Sequence, residues 1–525
     1  MRYLVVVVVL SLFALYGSTP LFLPQPLPET APADQFSAVR AMQHVAVIGG
    51  EIHPAGSPTM ADVAIYLKGT LEMIGLQPGI QETEAQRGGD TIKLRNVVVR
   101  LPGTTSNGAV LFLTHPDSTP FGPGAGDNAT GVAVLLEVAR ALKAGPALQN
   151  DIILLFDDGE EYGYLGGYAF VREHPWVADV RLAVGLDTAA WGPVVLLQSA
   201  PQNGMLVRGY AQAVPSPVAF GFFADANRNI ARDDSEIQPF MENGLPGLAL
   251  EDPTAFAGKH AGSDTVDRVN PASLQQMGDQ ALAIARQYGN MDLSQVHSAD
   301  ESYFTLWGLG MVHYPASVNI VLVILTVLGF LGLVVLGIRR KMFSSRGVGI
   351  GSLASLGAMV LAAMIGIIAA GFFKVWFPTP HQHIYNYLIP ASLPFLVITL
   401  VLIVSLYAAG HRWLTRKLGA TNLAVAGLTP WLVMSLVFIG LLPIGSYLFI
   451  WPLLLTVAIW GGIVIRRMDA ALSFGRTTLA VPAIVATVLV TPNLVLIYLG
   501  AGVAILPLIT VLVFIVLDLW APVLN

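Results

Sequence analysis

The sequence predicts two joined folds: an α/β domain with a mostly parallel sheet flanked by helices, then an all-α membrane domain. Three observations carry this reading. Between residues 109 and 250 short apolar runs alternate with helical stretches, the pattern of a parallel sheet covered on both faces. From about residue 316 to 521 the chain is apolar in stretches that approach or exceed the ~20 residues needed to cross a bilayer. A further apolar run, 3–23, follows Arg2.

Taken in order, residues 1–23 are expected to be an N-terminal transmembrane anchor or signal. The small-residue site at 14–18 is weak, which favours an anchor that is not cleaved. Residues 24–300 are expected to form an extracytoplasmic domain. A helix is predicted over 58–75. The runs 96–101 and 109–114 are rich in β-formers and joined through Ser-Asn-Gly, which suggests a hairpin. Residues 131–143 read as a helix with Leu and Ala on one face, and 151–156 as a buried strand. A helix follows at 167–173, strands at 182–186 and 245–250, and a closing helix at 271–288. Residues 301–315 read as a linker.

The membrane domain is expected to fill 316–525 with about seven spans: 316–338, 349–373, 388–410, 421–439, 442–465, 478–498 and 501–520. At the 439–442 junction one long re-entrant segment is an alternative. Arg339, Arg340, Lys341 and Arg346 follow the first span. Arg412, Arg416 and Lys417 follow the third, and Arg466, Arg467 and Arg476 the fifth. Positive charge collects on the cytoplasmic side. This predicts a cytoplasmic C-terminus with residues ~24–315 across the membrane, in a bacterial periplasm or an equivalent lumen. The spans are almost free of ionisable residues, with Asp518 near the end of the last and Lys374 at the edge of the second, which argues against an ion-coupled pump. His381 and His383 have metal-like spacing, but they fall in a short loop and read as interfacial polar residues, as do His297 and His313. There is no cysteine, which excludes a disulfide framework and a thiolate zinc site. The formal net charge of −6 gives no reason to expect nucleic acid as a partner. The lipid bilayer is the partner the composition implies.

The chemistry gathers at strand ends. His115, in HPDS, follows the strand 109–114. A neutral imidazole is a good zinc ligand, and Asp117 can accept its other ring N–H. Asp127 lies in the Gly-rich turn GPGAGDN before a helix, where it can bridge two metals or simply cap the helix. Glu160 and Glu161 follow the strand DIILLF. Adjacent residues there point in different directions, so one can bind metal while the other faces a substrate water. Asp187 ends the strand LAVGL, and His260 lies in a loop with Asp264 and Thr265 nearby. Two imidazoles and several carboxylates in this arrangement suit two zinc ions sharing one carboxylate, and so a metal-dependent hydrolase.

These motifs together resemble the co-catalytic zinc aminopeptidases, metallopeptidase family 28. The resemblance covers roughly residues 50–290 and rests on HPDS, GAGDNATG, EEYGYLG, GLDT and KHAGSDT, with HPAGS upstream. The layout also resembles a membrane-anchored branch, the endoplasmic-reticulum metallopeptidases and their bacterial counterparts. The resemblance implies two zinc ions per chain: His115 and Asp187 on one, Glu161 and His260 on the other, and Asp127 between them. It implies Glu160 as general base and Asp117 as the residue that orients His115. The implied substrate is a peptide with a free N-terminus. The chain departs from the family pattern in TAAWGP after Asp187, and in AGK before His260, where an aromatic residue often stands. Asp234, Ser235 and Glu236 lie near a family segment and receive no metal role. Two alternatives stand beside this reading: a glutaminyl-cyclase-like acyl transferase on the same fold, and a non-catalytic receptor or assembly scaffold. The complete set of ligands and base favours the hydrolase.

Overall fold

The computed structural model describes residues 2–105, 107–231, 235–254, 258–306, 308–376, 388–467 and 473–524. The chain divides into two units, Leu21–Pro315, and Met1–Pro20 together with Ala316–Asn525. Helix α1 (Arg2–Ser18) opens the chain and belongs to the second.

The α/β unit runs through α2 (Ala38–Ile48), α3 (Pro58–Met73), β1 (Gly79–Arg87), β2 (Asp90–Leu101), β3 (Ala109–Thr114), α4 (Ala129–Ala144), β4 (Asp151–Phe156), α5 (Leu165–Glu173), β5 (Val180–Asp187) and β6 (Val195–Ser199). It continues through α6 (Gly204–Ala213), α7 (Gly221–Ala226), α8 (Gln238–Glu242), β7 (Gly247–Glu251) and α9 (Pro271–Tyr288). Seven strands form one sheet in the order β1-β2-β4-β3-β5-β7-β6. Its centre, β4-β3-β5-β7, is parallel. β3 and β4 are buried at every residue, as unbroken apolar runs inside a covered parallel sheet must be. Parallel strands finish at one edge. Thr114 is level with Phe156, and Asp187 with Glu251. The residues that follow these positions, where open α/β sheets bind ligands, form the site.

The expected hairpin between 96–101 and 109–114 is not formed. β4 lies between β2 and β3, antiparallel to the former and parallel to the latter. β2 instead makes its hairpin with β1 through Gly88-Gly89, at φ +59° and +97°. Left-handed φ at both central residues suits a two-residue hairpin turn. β1 (GIQETEAQR) is polar and half exposed along its length. It is a sheet edge with no apolar run to reveal it.

Helix α4 starts where Asn128 Oδ1 accepts the Gly131 amide at 3.0 Å. It is buried nearly throughout, against α2 and α9. Val132, Val134, Leu135, Leu136 and Val138 are fully buried, each worth about 1.5–3 kcal/mol. Glu137 shares this interior. Arg40 Nε meets it at 2.7 Å, Arg140 Nε at 2.6 Å and the Ser37 amide at 3.2 Å, which ties α2 to α4. Residues 301–315, expected as a linker, form an antiparallel hairpin of β8 (Glu301–Leu306) and β9 (Gly310–Pro315). His313, read as interfacial, pairs across it with Glu301 at 2.5 Å.

The other unit is helical: α10 (Val318–Arg339), α11 (Ser345–Trp376), α12 (Leu388–Leu418), α13 (Ala420–Ala426), α14 (Leu428–Leu441), α15 (Tyr447–Arg466), α16 (Ser473–Ala501) and α17 (Leu506–Leu524). Among the described residues six helical stretches are long and apolar enough to cross a membrane. The last, Thr477–Val523, holds two of the seven expected spans, with a 3-10 turn at Gly502–Ile505 between them. The chain breaks at Leu442, between α14 and α15. Buried Asp518 on α17 accepts hydrogen bonds from Ser355 on α11 (2.7 Å) and Tyr407 on α12 (3.0 Å). α1 packs on α16. A Cβ at Gly17 would lie 2.7 Å from the carbonyl oxygen of Val488, so glycine allows the two backbones to touch. His381 and His383 lie outside the described residues.

Candidate metal centre

His115 leaves the end of β3 with no exposed surface. Its amide donates to Glu236 Oε1 at 2.8 Å. Its Nδ1 lies 3.0 Å from the Asp117 carbonyl oxygen and 3.6 Å from Asp117 Oδ1. The sequence suggested the carboxylate as the ring's acceptor, but the carbonyl is closer. The carboxylate accepts the amides of Glu160 (3.2 Å) and Glu161 (3.3 Å) instead, so the loop after β3 holds the loop after β4. That second loop is a 3-10 turn, Glu160–Tyr162, between Gly159 and Gly163, both left-handed.

Asp127 stands before α4, and the sequence left open whether it caps the helix. Asn128 does the capping, and the Asp127 carboxylate faces the site. Its Oδ1 is 3.5 Å from His115 Nε2 and its Oδ2 is 3.1 Å from His260 Nε2. Its own amide and that of Gly126 donate to Asp264, at 2.9 and 2.7 Å. His260 Nε2 is also 3.1 Å from Glu161 Oε2, while Glu160 Oε2 is 3.7 Å from His115 Nε2. Asp187, the last residue of β5, has Oδ2 3.1 Å from Lys259 Nζ.

Three groupings bring ligand atoms within 4.8 Å of one another: His115–Asp127–Asp187, Asp127–Glu161–His260 and His115–Glu160–Glu161. The first two share Asp127. His115 Nε2, both Asp127 oxygens, Glu161 Oε1 and Asp187 Oδ1 are buried and accept or donate no hydrogen bond. A buried polar atom without a partner costs about 1–3 kcal/mol, and several converging on one place fit a cation as the missing partner. The donor set contains N and O atoms and no thiolate, as in catalytic zinc sites.

Electrostatics agree. Burial pushes Glu160 up to about 8, and the negative charges of Asp187 and Glu161 add to it against the attraction of His115 and Lys259. Burial and Asp127 also raise Glu161. Burial would lower His260, but the carboxylates of Asp127 and Glu161, each 3.1 Å from Nε2, outweigh it and carry the ring to about 10. His115 is raised well above its ordinary value, against its burial, by Glu160, Asp117 and Asp127. For Asp127 burial works upward, yet Lys259, His115 and His260 hold it well below the carboxylate range. Behind these, burial lifts Asp157 and Asp158 to about 7 and Glu236 well above 4.5. The site is a knot of desolvated carboxylates that calls for positive charge.

Residues 96–285 match peptidase family M28. The chain carries an M28 domain. Over 255 residues, 46% of the chain, it is 31% identical to endoplasmic reticulum metallopeptidase 1 of Rattus norvegicus, of which the match covers 28%. Over 233 residues, 44% of the chain, it is 30% identical to the vacuolar membrane protease of Candida albicans (strain WO-1), of which the match covers 27%. The chain thus matches under a third of the length of these curated relatives. Among solved structures it is similar to a Zn-dependent exopeptidase from Parabacteroides distasonis (18% identity, 49% of this chain and 99% of that one, TM-score 0.41). It is also similar to a glutaminyl cyclase from Porphyromonas gingivalis (18% identity, 47% and 97%, TM-score 0.40).

The M28 domain gathers all seven residues singled out from the sequence: His115, Asp117, Asp127, Glu160, Glu161, Asp187 and His260. Sequence reasoning gave no role to four others. Asn128 takes the helix cap, and Asp264 holds the Asp127 loop. Glu236 accepts the amides of both His115 and Leu186, the latter at 3.1 Å, tying β3 to β5. Lys259 places its ammonium 3.8 Å from Asp127 Oδ1 as well as beside Asp187. Burial would lower Lys259, but Asp127, Asp187, Glu160 and Glu161 hold it well above the lysine range. The signal for Lys259 was present as a cation next to His260 where the family pattern often has an aromatic residue. Asp264 was visible in KHAGSDT and Glu236 near a family segment, but nothing in the sequence gave either its role.

Proposed function

We propose that the M28 domain is a zinc-dependent aminopeptidase working with two zinc ions. The observation that carries this is the pair of ligand triads sharing Asp127, in which His115 Nε2, both Asp127 oxygens, Glu161 Oε1 and Asp187 Oδ1 have no hydrogen-bond partner. His115 and Asp187 would hold one ion, Glu161 and His260 the other, and Asp127 both. When bound, a zinc pair polarises a carbonyl oxygen and makes water a better nucleophile. The chain's own residues supply the rest. Glu160 takes the proton of the attacking water and returns it to the leaving amine. Its Oε2 stands 3.7 Å from His115 Nε2, beside the centre, where a carboxylate can serve as a general base. Asp117 sets the turn from which Glu160 and Glu161 project. The cluster of carboxylates favours a substrate that brings positive charge, as the ammonium of a free peptide N-terminus does. The six apolar stretches embed the chain in a bilayer. The basic clusters beginning at Arg339 and Arg412 support a cytoplasmic C-terminus with the domain on the opposite, periplasmic or lumenal, side.

The test compares full-length protein in detergent with Glu160→Gln on a panel of aminoacyl-amides, with zinc content measured in both. Turnover is expected in the wild type and a loss of about 10²–10⁴-fold in the variant, with about two zinc ions per chain in each. Absence of bound zinc from both would refute the proposal.

A further inference from the structure

Lys259 has no part in the reaction as proposed, yet it reaches into the centre. Its Nζ lies 3.1 Å from Asp187 Oδ2 and 3.8 Å from Asp127 Oδ1. These are two of the three residues of the His115 triad. The ammonium is a compact point charge, and it stands among carboxylates that burial deprives of water. It is also tethered: Lys259 is the residue before His260, a member of the other triad, so its effective concentration at Asp187 is far above that of a free ion. About 20% of its side chain remains exposed, which gives it a route out.

We infer that Lys259 is a built-in competitor for one metal position, so that the two positions differ in affinity and fill in order. This rests on the two-zinc reading above. The Asp127–Glu161–His260 position fills first. The His115–Asp127–Asp187 position fills second, because a metal entering it must displace the ammonium from Asp187 and Asp127. The centre thus carries its own threshold: at low zinc the chain holds one ion and Lys259 stands in for the other, and both positions fill only as free zinc rises.

The experiment titrates zinc into metal-stripped full-length protein in detergent, against a chromophoric chelator, for the wild type, Lys259→Met and Lys259→Gln. The wild type is expected to bind in two steps, one tight and one weak. In both variants the weak step is expected to tighten on the order of tenfold or more, the scale of changes made beside metal ligands, while the tight step stays in place. Two steps unchanged in both variants, or a second step weakened by loss of the lysine, would overturn the inference and leave the two-zinc reading standing. Failure of every protein to bind zinc would remove both.

Discussion

Replacing Asp117 separates two accounts of how the M28 domain holds its ligands. If Asp117 only orients the His115 ring, Asp117→Asn should be nearly silent, because an amide oxygen still accepts a ring N–H. The structure gives Asp117 a larger task. It has no exposed surface, and its two oxygens accept the amides of Glu160 and Glu161 at 3.2 and 3.3 Å. Hydrogen bonds to a charged group contribute about 1.5–3 kcal/mol each, and these lengths place both near the lower end. Asp117→Ala should therefore cost about 3 kcal/mol. At roughly 2 °C per kcal/mol for a domain of this size, that lowers Tm by about 6 °C. Asp117→Asn turns an N–H against one of the two amides and should cost about half as much. Zinc affinity should fall about 10–100-fold in the alanine variant, as when groups supporting metal ligands are lost. Thermal unfolding of the full-length protein with chelator, and zinc competition titrations, give the two numbers. An asparagine variant that melts and binds zinc like the wild type would refute the clamp.

The remaining predictions concern charge. In chelator, the M28 domain should lose stability as pH rises from about 5 to about 8. Burial lifts Asp157 and Asp158 to about 7 and Glu160 to about 8. The folded state then keeps protons that the unfolded chain has released, and the stability they contribute is lost as pH passes through the folded values. His260, carried to about 10, acts in the same direction above its unfolded value. Saturating zinc should flatten or reverse this slope, since metal replaces protons. Tm against pH with and without zinc measures both, and a rise with pH in chelator would contradict the assignment. Glu137→Ala should cost about 3–5 kcal/mol by leaving Arg40 and Arg140 unpaired beside a buried helix. A change in unfolding free energy below about 1 kcal/mol would place that pair among surface bridges of little worth.

What could be read from the sequence follows from the physics of each signal. β3 and β4 announce themselves as unbroken apolar runs because both faces are covered. The ligands announce themselves because chemistry needs His, Asp and Glu where such strands end. β1 stayed hidden because an edge strand has no apolar face to show. The supposed hairpin failed because adjacency in sequence says nothing about a strand, β4, that arrives later and inserts. Asp264 and Glu236 act on Asp127 and His115 from 137 and 121 residues away. Their roles exist only once the sheet has brought the loops together. The sixth and seventh expected spans stand as α16 and α17, which a short 3-10 turn joins within Thr477–Val523.

The contact of α1 with α16 also fixes an order of assembly. Gly17 leaves a ribosome long before Val488 does. The whole M28 domain is made between them, so the interval must be spanned before this crossing can close. Helices α10 to α15 are complete while the seat for α1 is not. A leader-type cut after α1 would remove a packed member of the helical unit rather than a spent address tag. A label on residue 17 would therefore report on the arrival of α16.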